Sequence, residues 1–411
     1  MGTTRSTSYA RPRRKGSAGK NTQMKGSIVK TRELEGHIRK LATLDERKAP
    51  MVSCYLEIGN GAPGFQKVLG ERAQTLKQSL NMNALRPFEE ALSRIETFLQ
   101  TEIAPWCRGV ALFARAGDQP FFLPLQFRVP LPNWIAVGST PNLYHLVALK
   151  DNYDRYVILL GTEAWARIIG VNLGSVTEQI WKMRPALRNR VGHEWPKDQF
   201  QDHRRERANQ FVNDLIRNLE RVMSEGGYGH LILAGSPRVI SAMKKALSKS
   251  LAAKLVDTVP AAASAQISDV VASTLQSFLE HEELDSQAIA DRLVSQIHTH
   301  GLAVAGTHGT LQALRSGQAD FLVIAKSYDP GTGWECRRCG KVELTLPRPN
   351  LCPSCHGLLR EFDIREEMVR LAGRLECGVE VVEHSDVLMN LGGVGCLLRF
   401  LAPAGYIHAA A

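Results

Sequence analysis

The 411-residue sequence has no run of 18 apolar residues free of charge; its most apolar stretches are broken by Arg167 and Arg399. A membrane-spanning helix is therefore not expected. The first residues hold no apolar core of the secretory kind. Three motifs of nucleotide and metal chemistry are also missing: the phosphate loop G-x-x-x-x-G-K-[ST], a G-x-G-x-x-G after a strand, and H-E-x-x-H. Gly235-Ser236-Pro237 lacks the G-x-S-x-G form of a nucleophile elbow. Residues 1–30 contain no acid at all.

That last absence locates the charge. The net charge is +10, and Arg5, Arg11, Arg13, Arg14, Lys15, Lys20, Lys25 and Lys30 supply eight of it. The remaining chain is close to neutral. Residues 1–30 therefore read as a disordered basic tail, which favours nucleic acid through counterion release. Three other readings stand beside it: a solubilising or cloning-derived leader, an organellar transit peptide, and a short myristoylation match at Gly2 and Ser6. Pro12 and the scattered glycines argue against a transit peptide. With 44% hydrophobic and 22% charged residues, the rest has the balance of a folded globular chain. Its length calls for two or three domains.

Eight cysteines do not make a disulfide framework here. Cys54, Cys107, Cys377 and Cys396 are scattered in apolar contexts and read as buried free thiols, which fits a reducing cytoplasm. Cys336, Cys339, Cys352 and Cys355 form C-x2-C-x12-C-x2-C, the spacing of two knuckles that bring four thiolates to one tetrahedral point. A structural Zn²⁺ ribbon over 334–359 is expected. Four thiolates leave no open position for catalysis, and His356 is not needed while Cys355 is present. Arg337, Arg338, Lys341 and Arg348 decorate the ribbon, either as RNA contacts or as a solvated face.

Hydrophobic periodicity predicts three α/β domains: 31–140, 141–299 and 300–411. In the first, helices at Glu33–Leu44, Leu69–Leu80 and Phe88–Leu99 (with Pro87 near the last one's start) accompany strands at Val52–Glu57, Gly109–Ala114 and Pro120–Phe127. The second is expected to hold strands near Tyr144–Leu149, Tyr156–Leu160, Trp165–Val171, His230–Ala234 and Leu255–Val259. Its long helices carry the stripe Ala208, Phe211, Leu215, Leu219 and Val222, and span 268–298. The third is expected to place helices at Gly309–Ser316 and Ile364–Glu376 among strands at Ala303–Gly306, Asp320–Ala325, Val379–Val382 and Cys396–Phe400.

Between the second domain's strands and its long helix lies a polar stretch rich in cations. Arg184, Arg188, Arg190, Lys197, Arg204 and Arg205 stand there, with Lys182 and Arg207 at its edges and His193 and Trp195 near its tip. An aromatic among cations suits base stacking and phosphate contact. The plainer reading packs Trp195 under its own loop and leaves the charges solvated. His193 beside Glu194 is a weak acid–base pair with no third group at a recognisable spacing.

Three stretches together resemble the archaeal and eukaryotic class I peptide chain release factors and their relative Pelota, in particular the bacterial branch. They are the long helix followed by Gly229-His230-Leu231-Ile232-Leu233-Ala234-Gly235-Ser236, the run Gly301 to Lys326 with a ribbon inserted after it, and Leu391-Gly392-Gly393-Val394-Gly395-Cys396-Leu397-Leu398-Arg399-Phe400. The resemblance implies a central release-factor-like domain and a C-terminal domain like kink-turn-binding proteins. It implies the ribosome as partner, contact with rRNA at the A site, and elongation factor Tu as a helper within the bacterial branch. Two departures bear on activity. Val191-Gly192-His193-Glu194-Trp195-Pro196-Lys197 stands where the family carries Gly-Gly-Gln, and the Asn-Ile-Lys-Ser stop-codon motif is absent. Peptidyl-tRNA hydrolysis and stop-codon reading therefore do not carry over. The expectation is a cytoplasmic, non-enzymatic occupant of the A site, acting in hibernation or translational silencing. Two alternatives remain: a Pelota-like rescue factor that recruits a splitting ATPase, and a metal-dependent nuclease or hydrolase using Asp151, Asp154, His193 or Glu194.

Overall fold

The computed structural model describes residues 31–46, 49–59, 64–117, 119–183, 197–344 and 350–400. The basic tail lies outside the described residues.

The first unit comprises α1 (Thr31–Ala42), β1 (Met51–Glu57), α2 (Gly64–Ser79), α3 (Met82–Thr101), β2 (Gly109–Arg115), β3 (Phe121–Phe127) and β4 (Trp134–Gly138). Its sheet is antiparallel in the order β3-β2-β1-β4. Alternation on β1 divides the interior. Val52, Cys54 and Leu56 pack with Phe88, Leu92 and Ile95 of α3, while Met51 and Tyr55 join a second core on the opposite face. Asn81 caps α3 by accepting the Ala84 N–H at 3.0 Å. Pro87 sits well inside this helix rather than at its start. Strand β4 escapes the sequence pattern because it is short, half-exposed and flanked by prolines.

The expected strand near Tyr144–Leu149 is instead a helix, α4 (Tyr144–Asn152). A six-residue apolar run cannot be told from a buried helix segment by periodicity. The deciding group is remote in sequence: one Glu366 carboxylate oxygen accepts from the backbone N–H of Leu143 at 2.6 Å and of Tyr144 at 3.2 Å. This supplies the N-terminal acceptor that no local side chain provides.

The central unit follows with β5 (Tyr156–Gly161), β6 (Trp165–Asn172), β7 (Ser175–Met183), α5 (Lys197–Gly226), β8 (His230–Gly235), α6 (Pro237–Ala246), α7 (Lys249–Ala252), β9 (Leu255–Pro260) and α8 (Ile267–His298). The sheet order is β7-β6-β5-β8-β9, parallel across β5-β8-β9 and antiparallel across β5-β6-β7. The α5 stripe buries Leu215, Leu219 and Val222 against one face, and α8 buries Val270, Val271 and Phe278 against the other. Phe278 stacks on Tyr156 with ring centroids 4.6 Å apart. Strand β7 was not expected; it is an edge strand whose side chains are largely polar or exposed.

The C-terminal unit holds β10 (Ala303–Ala305), α9 (Thr307–Arg315), β11 (Ala319–Ala325), β12 (Thr332–Cys336), β13 (Val342–Glu343), β14 (Leu359–Asp363), α10 (Ile364–Leu375), β15 (Gly378–Val382), α11 (Asp386–Asn390) and β16 (Val394–Leu398). Its main sheet runs β10-β16-β11-β15, with β11 and β15 parallel. The small sheet β13-β12-β14 is inserted between β11 and α10 and extends from Thr332 to Asp363, slightly beyond the expected ribbon. The short helix α11 was not anticipated.

One core runs through the first and last units. Leu34 and Leu41 of α1, Leu146 and Leu149 of α4, Leu293 of α8 and Met368 of α10 belong to the same buried cluster. Arg374 also donates to the Ala42 carbonyl at 2.8 Å.

Candidate functional site

The cysteine cluster is built by two backbone knuckles. Strand β12 delivers Cys336, and Gly340 N–H closes on its carbonyl at 2.9 Å. In the second knuckle the His356 N–H closes on the Cys352 carbonyl, also at 2.9 Å. The residue after each second cysteine is left-handed, Gly340 at φ +70° and His356 at φ +55°. Glycine meets that demand without strain; histidine does not. Cys352 N–H closes the second knuckle on the Gly357 carbonyl, and Arg337 N–H ties the first knuckle to it through the Leu358 carbonyl, both at 3.0 Å.

All four sulfurs lie within 4.8 Å of one another. Cys336 Sγ is 3.3 Å from Cys355 Sγ, and Cys339 Sγ is 3.7 Å from Cys352 Sγ. These gaps are too long for disulfide bonds, and all eight cysteines are free. Thiolates about 2.3 Å from a central Zn²⁺ would sit about 3.8 Å apart in a tetrahedron, so the set fits that ion. The thiols do not ionise alike on their own. The Cys339 backbone N–H foremost, helped by that of Arg338, brings Cys336 down to about 6. Cys355, sharing its hydrogen with Cys336, is pushed up to about 12. A divalent cation removes this conflict by holding all four as thiolates. His356 is not among the four ligands.

Gly357 makes the close approach possible. A Cβ there would lie 3.0 Å from Cys336 Sγ and 3.3 Å from Cys355 Sγ. Gly357→Ala is expected to weaken metal binding about 10- to 100-fold by crowding the sulfurs, a change that competition with a chromophoric chelator measures directly.

The ribbon is fastened to the body by charge. Glu335, next to Cys336, pairs with Arg360 of β14 and with Arg315 of α9, the latter at 3.0 Å. Arg360 also pairs with Glu46, which follows α1. Lys341 donates to Ser354 across the two knuckles at 2.8 Å, and Arg337 and Arg338 are exposed.

Most of the expected RNA-binding residues lie outside the described residues: Arg184, Arg188, Arg190, His193 and Trp195, with Glu194. Lys197, Arg204 and Arg205 fall in the first turns of α5. The stretch therefore joins edge strand β7, ending at Met183, to the start of α5.

Asp151 and Asp154, weighed as acids of a hydrolytic site, sit at the seam between units. A cavity of about 510 Å³ there is lined by Lys150, Asp151, Arg155, Glu282 and Glu380. Asp151 Oδ2 accepts the Val381 N–H at 2.7 Å, and Glu380 accepts from Ser286. Burial first, then the neighbouring Glu380, hold the Asp151 carboxyl well above its usual range. Burial likewise pushes Glu282 up to about 8, and it pushes down His230, whose Nδ1 is 3.5 Å from the Glu282 carboxylate. This cluster was not anticipated, because its members come from α4, α8 and β15. Among the described residues, the one group of His, Cys, Asp or Glu close enough to hold a metal is the cysteine cluster.

Residues 141–278 match the model of bacterial archaeo-eukaryotic release factor family 10. This stretch is similar to that family. It covers about a third of the chain, from just before α4 to the middle of α8, and includes the cation-rich segment. Similar solved structures include the archaeal translation termination factor aRF1, 16% identical, covering 91% of this chain and 99% of that one at a TM-score of 0.26. Archaeoglobus fulgidus Pelota is 12% identical over 91% and 93% of the two chains, with a TM-score of 0.34. Dom34 of S. cerevisiae is 12% identical over 72% and 82%, with a TM-score of 0.37. No curated protein matches the chain. Among the described residues no helix is long and apolar enough to cross a membrane.

Proposed function

We propose that this chain is a release-factor-like ribosome-binding protein that occupies the A site without hydrolysing peptidyl-tRNA. The reading is carried by one coincidence. The stretch matching the release-factor family carries Val191-Gly192-His193-Glu194-Trp195-Pro196-Lys197 where the resemblance would put Gly-Gly-Gln, and the sequence holds no Gly-Gly-Gln. The family match supports a body of the kind that presents a catalytic loop, without the glutamine that such a loop needs. Within the bacterial branch the finer reading is a hibernation or translation-silencing factor resembling Balon, cytoplasmic and assisted by elongation factor Tu. The four cysteines would hold a structural Zn²⁺, whose role is to fold the ribbon. Lys197, Arg204 and Arg205, the preceding Arg184, Arg188, Arg190, His193 and Trp195, and the basic tail would face rRNA.

Replacing Arg188, Arg190 and Trp195 together by alanine is expected to weaken sedimentation with 70S ribosomes. It should also flatten the salt dependence, by about 0.7–0.9 log units of affinity per log unit of salt for each phosphate no longer neutralised. Binding that is unchanged from 50 to 300 mM salt in the wild type would contradict the assignment. Stimulation of subunit splitting by an ATPase would favour the rescue reading instead.

A further inference from the structure

The β6–β7 hairpin, which directly precedes the cation-rich segment in the sequence, carries an aromatic and cationic ladder. In the register of the two strands, Arg167 is opposite Trp181 and Trp165 is opposite Met183, so all four side chains share one face. The Arg167 guanidinium carbon lies 5.0 Å from the Trp165 ring centroid and 5.7 Å from that of Trp181. It is held between two indoles. Arg167 Nε has no hydrogen-bond partner, and no carboxylate among the described residues pairs with this cation.

The outer indole is the unusual part. Trp181 is 55% exposed, the most exposed aromatic side chain among the described residues, and Met183 beyond it is 64% exposed. Lys182, between them in sequence, is exposed on the opposite face of the strand. A tryptophan on an edge strand that only needed burial would turn inward. This one is fixed on its inner side by a planar cation and left open on the other.

We propose that Trp165, Arg167 and Trp181 form a stacking platform for an unpaired RNA base. The charge chooses this occupant. The Arg167 guanidinium lies on the platform with no carboxylate partner among the described residues, and the sequence continues from Met183 into Arg184, Arg188 and Arg190. A nucleotide supplies both the flat π-face that extends the ladder and the phosphate that answers the cations. The inference rests on the RNA-facing reading of that segment and adds where a base is held.

The test uses the full-length, zinc-loaded chain and a fluorescein-labelled 12-nucleotide oligoadenylate, with a blunt RNA duplex of equal length as control. Trp181→Ala is expected to weaken single-strand binding about tenfold or more. Trp181→Phe should stay within about threefold of wild type. Because Trp181 carries no charge, its loss should leave the salt slope unchanged, and duplex binding should not respond. Arg167→Lys keeps the charge but loses the planar stack, and should weaken single-strand binding while preserving that slope. Circular dichroism and melting temperature confirm that the variants fold.

Single-strand binding indifferent to Trp181→Ala, or duplex binding that falls in step with it, would overturn the platform. If oligoadenylate binding is indifferent while ribosome sedimentation is lost, the face belongs to a protein contact and the proposal fails. Trp181-dependent oligoadenylate binding without ribosome sedimentation would keep the platform and remove the ribosome reading.

Discussion

Stripping metal from the chain, or replacing Cys352 by serine, is expected to unfold the small three-stranded sheet and lower the melting temperature of the whole C-terminal unit. Structural zinc sites of this kind bind with about 10–16 kcal/mol, and that binding energy is folding energy. The sheet has little else to hold it. It is two to five residues wide per strand, with Trp334 and Phe362 as its large buried side chains. Phe362 belongs to the core shared with α1 and α10, and the Glu335–Arg360–Glu46 pairs lead to the same place. Loss of the ribbon should therefore be felt outside it. Metal analysis should give one zinc per chain. Limited proteolysis after chelation should cut between Thr332 and Asp363. A chelated chain with unchanged melting temperature and protease resistance would show that the four thiols fold without metal.

Raising the pH from 6.5 to 9 is expected to destabilise the seam between α4 and the C-terminal unit, and Glu366→Gln is expected to remove much of that loss. Burial pushes the Glu366 carboxyl up to about 8, against the pull of the Leu143 and Tyr144 N–H donors. In the unfolded chain the group ionises near 4.5. The folded state thus keeps a proton that the unfolded state has released. Its contribution is fully present below the unfolded value and is lost as pH climbs through about 8. For Glu366 the loss across this window is about 2 kcal/mol. Glu282 has the same sign with a smaller effect, because it keeps contact with water, and Asp151 and Glu380 are raised as well. His145, lowered to about 4 by burial, and His230, also lowered, act at lower pH, so starting at 6.5 keeps them out of the window. The measurement is the urea midpoint across the series for wild type and Glu366→Gln. A midpoint that is flat or rises with pH, identical in both proteins, would contradict the assignment.

The sequence made plain what local pattern determines. The α5 stripe from Phe211 to Val222 and the 268–298 helix follow from apolar spacing, and the cysteine knuckles from C-x2-C. The scattered Cys54, Cys107, Cys377 and Cys396 are buried, as their contexts indicated. Features that depend on distant partners stayed hidden. The helix at Tyr144–Asn152 takes its N-terminal acceptor from Glu366, 223 residues away from Leu143. The carboxylate cluster assembles Asp151, Glu282 and Glu380 from three elements. Edge strands β4 and β7 bury too little to show a clean alternation. The aromatic ladder depends on register, since nothing in the order of the chain places Trp181 opposite Arg167.

The central claim is that this body occupies the ribosomal A site. The direct measurement is sedimentation of the zinc-loaded chain with 70S ribosomes at 100 and 400 mM salt, using ribosomes with an empty A site and ribosomes with tRNA bound there. Binding to the empty ribosomes that weakens at the higher salt and disappears when tRNA fills the A site is the predicted result. Equal binding to both ribosome preparations, or none to either, would contradict it.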